Sequence, residues 1–208
     1  MTAPAAIALE DVSFSYGSLT ILDHADEAPG ADQEVGVVGP SGVGKSTLLG
    51  LLSGELDPTE GTVRLVGLPQ RSGRLAADAV GWVMQTTNVF GRRTVLDNVV
   101  LPAWLGGARR GAAIAAGSAA LERVGLGDLA GRRCASLSGG ERQRVAVARA
   151  LAARTPVVLA DEPTASLDRA NRDRLTEILV ETAAAGRVVV VATHDAAVAD
   201  RCDELIRL

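Results

Sequence analysis

Gly39-Pro-Ser-Gly-Val-Gly-Lys-Ser-Thr47 decides the fold of this chain. Its spacing is G-x-x-x-x-G-K-[ST], the phosphate-binding loop. Glycines at Gly39, Gly42 and Gly44 let the backbone turn tightly and bring amide N–H groups to phosphate oxygens. Lys45 is the only lysine among the 21 basic residues; all others are arginine. A compact ammonium on a flexible stem reaches β- and γ-phosphates where a planar guanidinium fits less well. Ser41 and Thr47 complete the loop, and Ser46 offers a hydroxyl to Mg2+. The flanks fit the motif. Val35-Gly-Val-Val38 reads as a strand leading in, and Ser46-Thr-Leu-Leu-Gly-Leu-Leu52 as a helix leading out, closed by Gly54.

Working outward, Leu137-Ser-Gly-Gly-Glu141 opens a helical stretch that runs to about Arg154. Ser138 and Glu141 have capping-box spacing. Gly139 and Gly140 leave the first amides uncovered, and a helix start with bare N–H groups is an anion site. Pro156-Val-Val-Leu-Ala-Asp-Glu-Pro163 reads as a buried parallel strand with two carboxylates at its carboxyl end. Ligands of open α/β sheets bind at that end. Asp161 fits the Mg2+-associated acid, and Glu162 points where a water beyond the γ-phosphate is activated.

Taken together, these segments resemble the ATPase subunit of ATP-binding-cassette (ABC) transporters in order and spacing, over nearly the whole chain. The resemblance implies an α/β fold: a P-loop ABC ATPase with a RecA-like core, an N-terminal antiparallel β portion and a helical subdomain. It implies further roles, residue by residue. Tyr16 resembles the aromatic that stacks on adenine; its alternative is packing on the core. Gln85 resembles the glutamine that reaches Mg2+ and water. Asp168 resembles the aspartate that communicates across a dimer, and it also suits an N-cap. His194 resembles the switch histidine at the γ-phosphate; its alternative is a packed residue after a strand. In such a dimer each ATP is held by the phosphate loop of one copy and by Ser138, Gly139 and Gly140 of the other. Glu162, His194, Gln85 and Lys45 are the catalytic set, and Ser46, Gln85 and Asp161 the metal set.

Val95-Leu-Asp-Asn-Val-Val-Leu-Pro102 looks like the lipoprotein-release, macrolide-efflux and peptide-resistance ATPases. The expected role is therefore to couple ATP-driven closure to movement of transmembrane permease subunits in export or extrusion of lipoproteins or peptides. A regulatory ATPase of the cell-division type, signalling without transport, shares every catalytic residue. A soluble ABC protein acting on ribosomes or DNA fits less well, because those chains carry two cassettes or a long coiled-coil insertion. Three departures stand out. The stretch 23–34 is acidic where an alternating strand is usual, which predicts a weak or frayed strand. Cys134 stands where proline is common, and Phe90-Gly-Arg-Arg93 is more basic than usual.

With 208 residues the chain is expected to form one ABC ATPase domain. Residues 5–84 and 137–208 form its nucleotide-binding core, and residues 86–136 a helical subdomain weakened by Gly106, Gly107, Gly111 and Gly117. Strands are expected near 62–66, 80–84, 157–161 and 188–192, with a helix over 169–185. A net charge of −4 argues against nucleic-acid binding. Cys134 and Cys202 lack metal or redox spacing and read as reduced thiols. There is no basic n-region, and no apolar run approaches the ~20 residues of a membrane span. The expected location is cytoplasmic, on the inner face of the membrane through partner subunits.

Overall fold

The computed structural model describes residues 5–71, 73–86 and 88–208. Its centre is a five-stranded parallel sheet in the order β10-β3-β9-β8-β7. The strands are β3 (Glu34–Val38), β7 (Val80–Val83), β8 (Val157–Asp161), β9 (Val188–Thr193) and β10 (Glu204–Arg207). A separate antiparallel sheet, order β2-β1-β4, holds β1 (Ala6–Tyr16), β2 (Leu19–Glu27) and β4 (Glu60–Val66). A small hairpin, β5 (Gln70–Arg71) with β6 (Arg74–Leu75), follows. The helices are α1 (Lys45–Ser53), α2 (Val95–Leu105), α3 (Arg110–Arg123), α4 (Gly139–Ala153), α5 (Arg169–Ala184) and the short α6 (Ala196–Ala199).

The apolar runs become central strands because both faces of the sheet are covered. Strand periodicity then splits each run between two cores. Val157 and Leu159 of β8, with Val188 and Val190 of β9, join the α1 leucines and Ile7, Leu9 and Phe14 of the antiparallel sheet. Val158 and Ala160, with Val189 and Val191, face the other way onto α4 and α5. Burying a leucine such as Leu48 or Leu49 contributes about 1.5–3 kcal/mol.

Two expectations need correction. The acidic stretch does not fray: β2 is nine residues long and pairs with β1 along its length. Its acids are tolerated because β2 is an edge strand broken by register shifts, with Asp11 and His24 at φ of 53° and 49°. There Asp26 accepts the Asp11 amide at 2.8 Å, and His24 Nδ1 meets Asp11 Oδ1 at 2.6 Å. The glycines do more than weaken the helical part: Gly106 and Gly107 separate α2 from α3, and Gly117 serves packing. A Cβ on Gly117 would lie 2.6 Å from Val100 Cγ1, so its bare backbone is what lets α3 approach α2.

Candidate active site

Four neighbouring strands deliver the site at their carboxyl ends, where open α/β sheets bind ligands. After β3 comes the phosphate loop, after β7 Gln85, after β8 Asp161-Glu162 and after β9 His194. A cavity of about 200 Å³ is lined by Ser41, Gly42, Gly44, Lys45, Ser46, Thr47, Gln85, Asp161 and Glu162. Residues far apart in sequence thus meet around one small polar space.

The loop conformation needs its glycines. Gly42 has φ 82° and Gly44 φ 120°, and Ile21 occupies the space a Cβ on Gly44 would take. Gly44 precedes the first residue of α1, so the loop empties onto a helix N-terminus with its amides forward. Lys45 is buried, and its Nζ donates to the carbonyls of Gly39 at 2.8 Å and Pro40 at 3.1 Å. A third contact, 3.6 Å, runs to Glu162 Oε1.

Glu162 is buried and adopts a left-handed φ of 48°, held by its amide donating to Ala192 O at 2.9 Å. Such strain in a non-glycine residue collects at functional sites. His194 Nδ1 lies 2.8 Å from the same Oε1, so one carboxylate oxygen faces both the ammonium and the imidazole. The His194 side chain is 64% exposed and is not the packed histidine of the alternative reading. Beside it, Ser46 Oγ donates to Asp161 Oδ2 at 2.6 Å. A hydroxyl, a carboxylate and the Gln85 amide oxygen are hard donors of the kind Mg2+ takes alongside substrate phosphate and water.

Tyr16 lies at the end of β1, 55% exposed, with its ring edge-to-face on Phe14 at 4.9 Å. The ring thus has one aromatic neighbour and is more than half exposed, the openness that base stacking requires. Ser138, Gly139, Gly140 and Asp168 do not line the cavity around Lys45. Ser138 caps α4: its hydroxyl accepts the Glu141 amide at 3.2 Å, and Glu141 accepts the Ser138 amide at 2.7 Å. These bonds to Ser138 hold the Glu141 carboxyl below the ordinary carboxylate range. A Cβ on Gly139 would meet open space, whereas one on Gly140 would lie 3.0 Å from Ser166 O and 3.2 Å from Leu167 Cδ2, so the first turn is open at Gly139 and packed at Gly140. Asp168 caps α5 by accepting the Asn171 amide at 2.9 Å, which lowers its pKa.

Three bracing contacts around the site escape sequence reading. Asn98, fully buried, accepts the Phe90 amide at 2.6 Å and donates to Thr94 O at 2.8 Å and Cys134 Sγ at 3.2 Å. Arg149 of α4 donates to Asn88 O at 3.1 Å. Asn98 thus ties the segment after Gln85 to the run that ends in Ser138, and Arg149 ties it to the helix that Ser138 caps. Arg172 of α5 donates to Asp195, the residue after His194, at 3.3 Å. Only the Asp-Asn-Val run containing Asn98 carried any sequence signal.

Comparisons with known proteins agree with this geometry. The ABC transporter family profile matches residues 26–165. The ABC transporter ATP-binding protein YbbA of Escherichia coli is 39% identical over 197 residues, covering 91% of this chain and 86% of that one. The lipoprotein-releasing system ATP-binding protein LolD of Anaeromyxobacter dehalogenans is 41% identical over 197 residues, covering 90% and 82%. The macrolide export ATP-binding/permease protein MacB 1/2 of Paracoccus denitrificans is 41% identical over 199 residues, 92% of this chain and 30% of that longer one. Among solved structures, the dimeric bacterial ABC transporter cassette MJ0796 superposes with a TM-score of 0.84 at 30% identity, covering 97% and 94%. Its post-hydrolysis dimer bound to ADP and Pi gives a TM-score of 0.82. The chain belongs to the ABC transporter family. It is an ATP-binding cassette with ATPase activity.

Proposed function

We propose that this cassette powers partner membrane subunits in export or in extrusion of lipoproteins or peptides, working as a closed pair of cassettes. The observation behind this reading is the convergence of Lys45 and His194 on one carboxylate oxygen of Glu162, beside the Ser46–Asp161 pair. Phosphoryl transfer asks little covalent chemistry of a protein, so positioning and electrostatics set the rate. In the proposed roles, Lys45 and the loop amides hold the β- and γ-phosphates, and Tyr16 stacks on adenine. Ser46, Asp161 and Gln85 would hold Mg2+, which neutralises phosphate charge when bound. Glu162 takes a proton from the attacking water, while His194 holds the carboxylate in place and senses the γ-phosphate.

Ser138, Gly139, Gly140 and Asp168 stand outside the Lys45 cavity, which supports their service to the opposite subunit. The dimeric state of the MJ0796 cassette supports the same reading. Transport is favoured because LolD and MacB are named for lipoprotein release and macrolide export, and MacB carries cassette and permease in one chain. No helix of the described residues is long and apolar enough to cross a membrane. Attachment on the cytoplasmic face is therefore proposed to run through the permease, with residues 86–136 as the docking subdomain. A groove of about 1060 Å³, lined in part by Trp82, Ala103, Ala112, Ala116 and Ala153, runs between α2–α3 and the edge strand β7 and suits such a contact.

Mixing two inactive variants tests the shared site. A heterodimer of Ser138→Arg and Lys45→Ala chains contains one site with both lesions and one with neither. ATPase recovery on mixing, in the presence of the membrane partner, is expected. Paired chains that bind ATP at the intact site but never cross-link to the opposite Ser138 would contradict it.

A further inference from the structure

Arg172 lies one turn into α5, four residues after the cap Asp168, and its amide donates to Asp168 O at 2.9 Å. Its guanidinium leaves the helix in two directions. Nε and Nη2 donate to Asp173 Oδ1 at 3.0 and 2.9 Å, and Nη1 donates to Asp195 Oδ2 at 3.3 Å. Asp173 is also approached by Arg169 at 3.8 Å, and its carbonyl accepts from Arg201 at 3.4 Å. Asp195 is otherwise committed. Its Oδ1 accepts the Ala197 amide at 2.9 Å, capping α6, and its own amide donates to Thr193 Oγ1 at 3.0 Å.

His194 therefore stands between two fixed points. Thr193 is the fully buried end of β9, and Asp195 is held to α5 by Arg172. The ring between them is exposed and has one side-chain partner among the described residues, Glu162 Oε1. Its direction is set by the backbone on either side. Without Arg172, the Asp195 side stays capped to α6 but loses its tie to α5.

We propose that Arg172 is a positioning residue for hydrolysis: by locking Asp195 onto the start of α5 it aims His194 at Glu162. The same bond makes the Asp168 turn and the His194 turn one mechanical unit, so displacement of α5 reaches the Glu162 carboxylate. A partly exposed ion pair adds little to stability, because water and salt screen it and the side chains lose freedom in forming it. Folding alone thus gives Arg172 little to do, and an effect on turnover stands out. The proposal rests on the reading of Glu162 and His194 as hydrolytic residues.

The test uses the whole chain with Arg172→Ala, Arg172→Lys, Asp195→Asn and the double variant Arg172→Ala/Asp195→Asn. Asparagine keeps the α6 cap, since Asn and Asp cap equally well. For Arg172→Ala we expect kcat to fall about 10-fold with KM for ATP nearly unchanged, the pattern of an interaction made in the transition state. Arg172→Lys should recover most of the rate. The double variant should be no slower than the slower single one, because both changes break one contact. The chain has 2 histidines, so His24 serves as the internal reference for proton NMR. The His194 ring resonance should broaden or move in Arg172→Ala while that of His24 stays. An unchanged kcat, multiplying single effects, an unmoved His194 resonance, or a rate loss that tracks loss of folded protein each overturns the proposal. His194→Ala is measured in parallel. If its kcat equals wild type, the hydrolytic reading of His194 fails, whereas the NMR comparison still reports whether Arg172 aims the ring.

Discussion

His194 Nδ1 and Glu162 Oε1 lie 2.8 Å apart, and this contact joins the ends of two adjacent strands, β8 and β9, across the site. Glu162 is buried at a left-handed φ of 48°, so the carboxylate has little freedom beyond what His194 and Lys45 allow. The geometry proposed for hydrolysis thus depends on a side chain that is itself mostly exposed.

The first prediction concerns that dependence. His194→Ala should lower kcat by about 10²–10³, within the range for disabling acid–base positioning. ATP affinity should change less than threefold, because Lys45 and the loop amides remain. Steady-state kinetics with equilibrium nucleotide binding checks both numbers.

Lys45→Arg should fail to restore nucleotide binding although charge is kept. The ammonium is buried between Gly39 O, Pro40 O and Glu162, a space shaped for a point charge and not for a planar fork. Titration with a fluorescent ATP analogue should show at least about a tenfold loss, the equivalent of about 1.4 kcal/mol.

Gly44→Ala should destabilise the chain and empty the loop of nucleotide. The new Cβ meets Ile21 and must also hold a φ of 120°, a strain that costs about 1–3 kcal/mol. Adding Ile21→Ala relieves the clash but not the dihedral, so thermal melts should show partial recovery in the double variant.

Much of this was legible because it is local. The phosphate loop, the Ser138–Glu141 capping box, the carboxylates ending β8 and the Asp168 cap each lie within a few residues of one another, and spacing alone exposes them. The acidic stretch misled, since edge position and backbone irregularity, which depend on the partner strand β1, decide whether acids suit a strand. Asn98, Arg149 and Arg172 stayed hidden for a related reason. Each bonds to a group whose place is set by tertiary packing, 36 residues away for Asn98 and Cys134, 61 for Arg149 and Asn88, 23 for Arg172 and Asp195. The left-handed Glu162 was equally invisible, as nothing in Asp-Glu-Pro demands it.

Glu34 supplies a pH prediction. It is fully buried at the start of β3, and neither carboxylate oxygen has a hydrogen-bond partner among the described residues. Burial, reinforced by Asp203 and opposed by Arg201, pushes its pKa up to about 8 from an ordinary 4.5. Below 4.5 both folded and unfolded chains hold the proton, and this group's contribution to stability is fully present. Between there and about 8 the unfolded chain releases the proton first, so stability falls as pH rises, and above about 8 it levels off. Glu34→Gln has no such slope. The melting temperature of Glu34→Gln relative to wild type should therefore rise from pH 5 to pH 8 by several degrees, at about 2–4 °C per kcal/mol for a chain of this size. A pH-independent difference would show that Glu34 is not held protonated by the fold.

The most direct test of the central claim is Glu162→Gln. Glutamine keeps the size of the side chain and removes the base. The account predicts an ATP affinity close to wild type, a turnover reduced about 10²–10⁴-fold, and an ATP-dependent dimer that persists on a sizing column with the membrane partner present. Wild-type turnover in Glu162→Gln would contradict it and remove Glu162 from the chemistry.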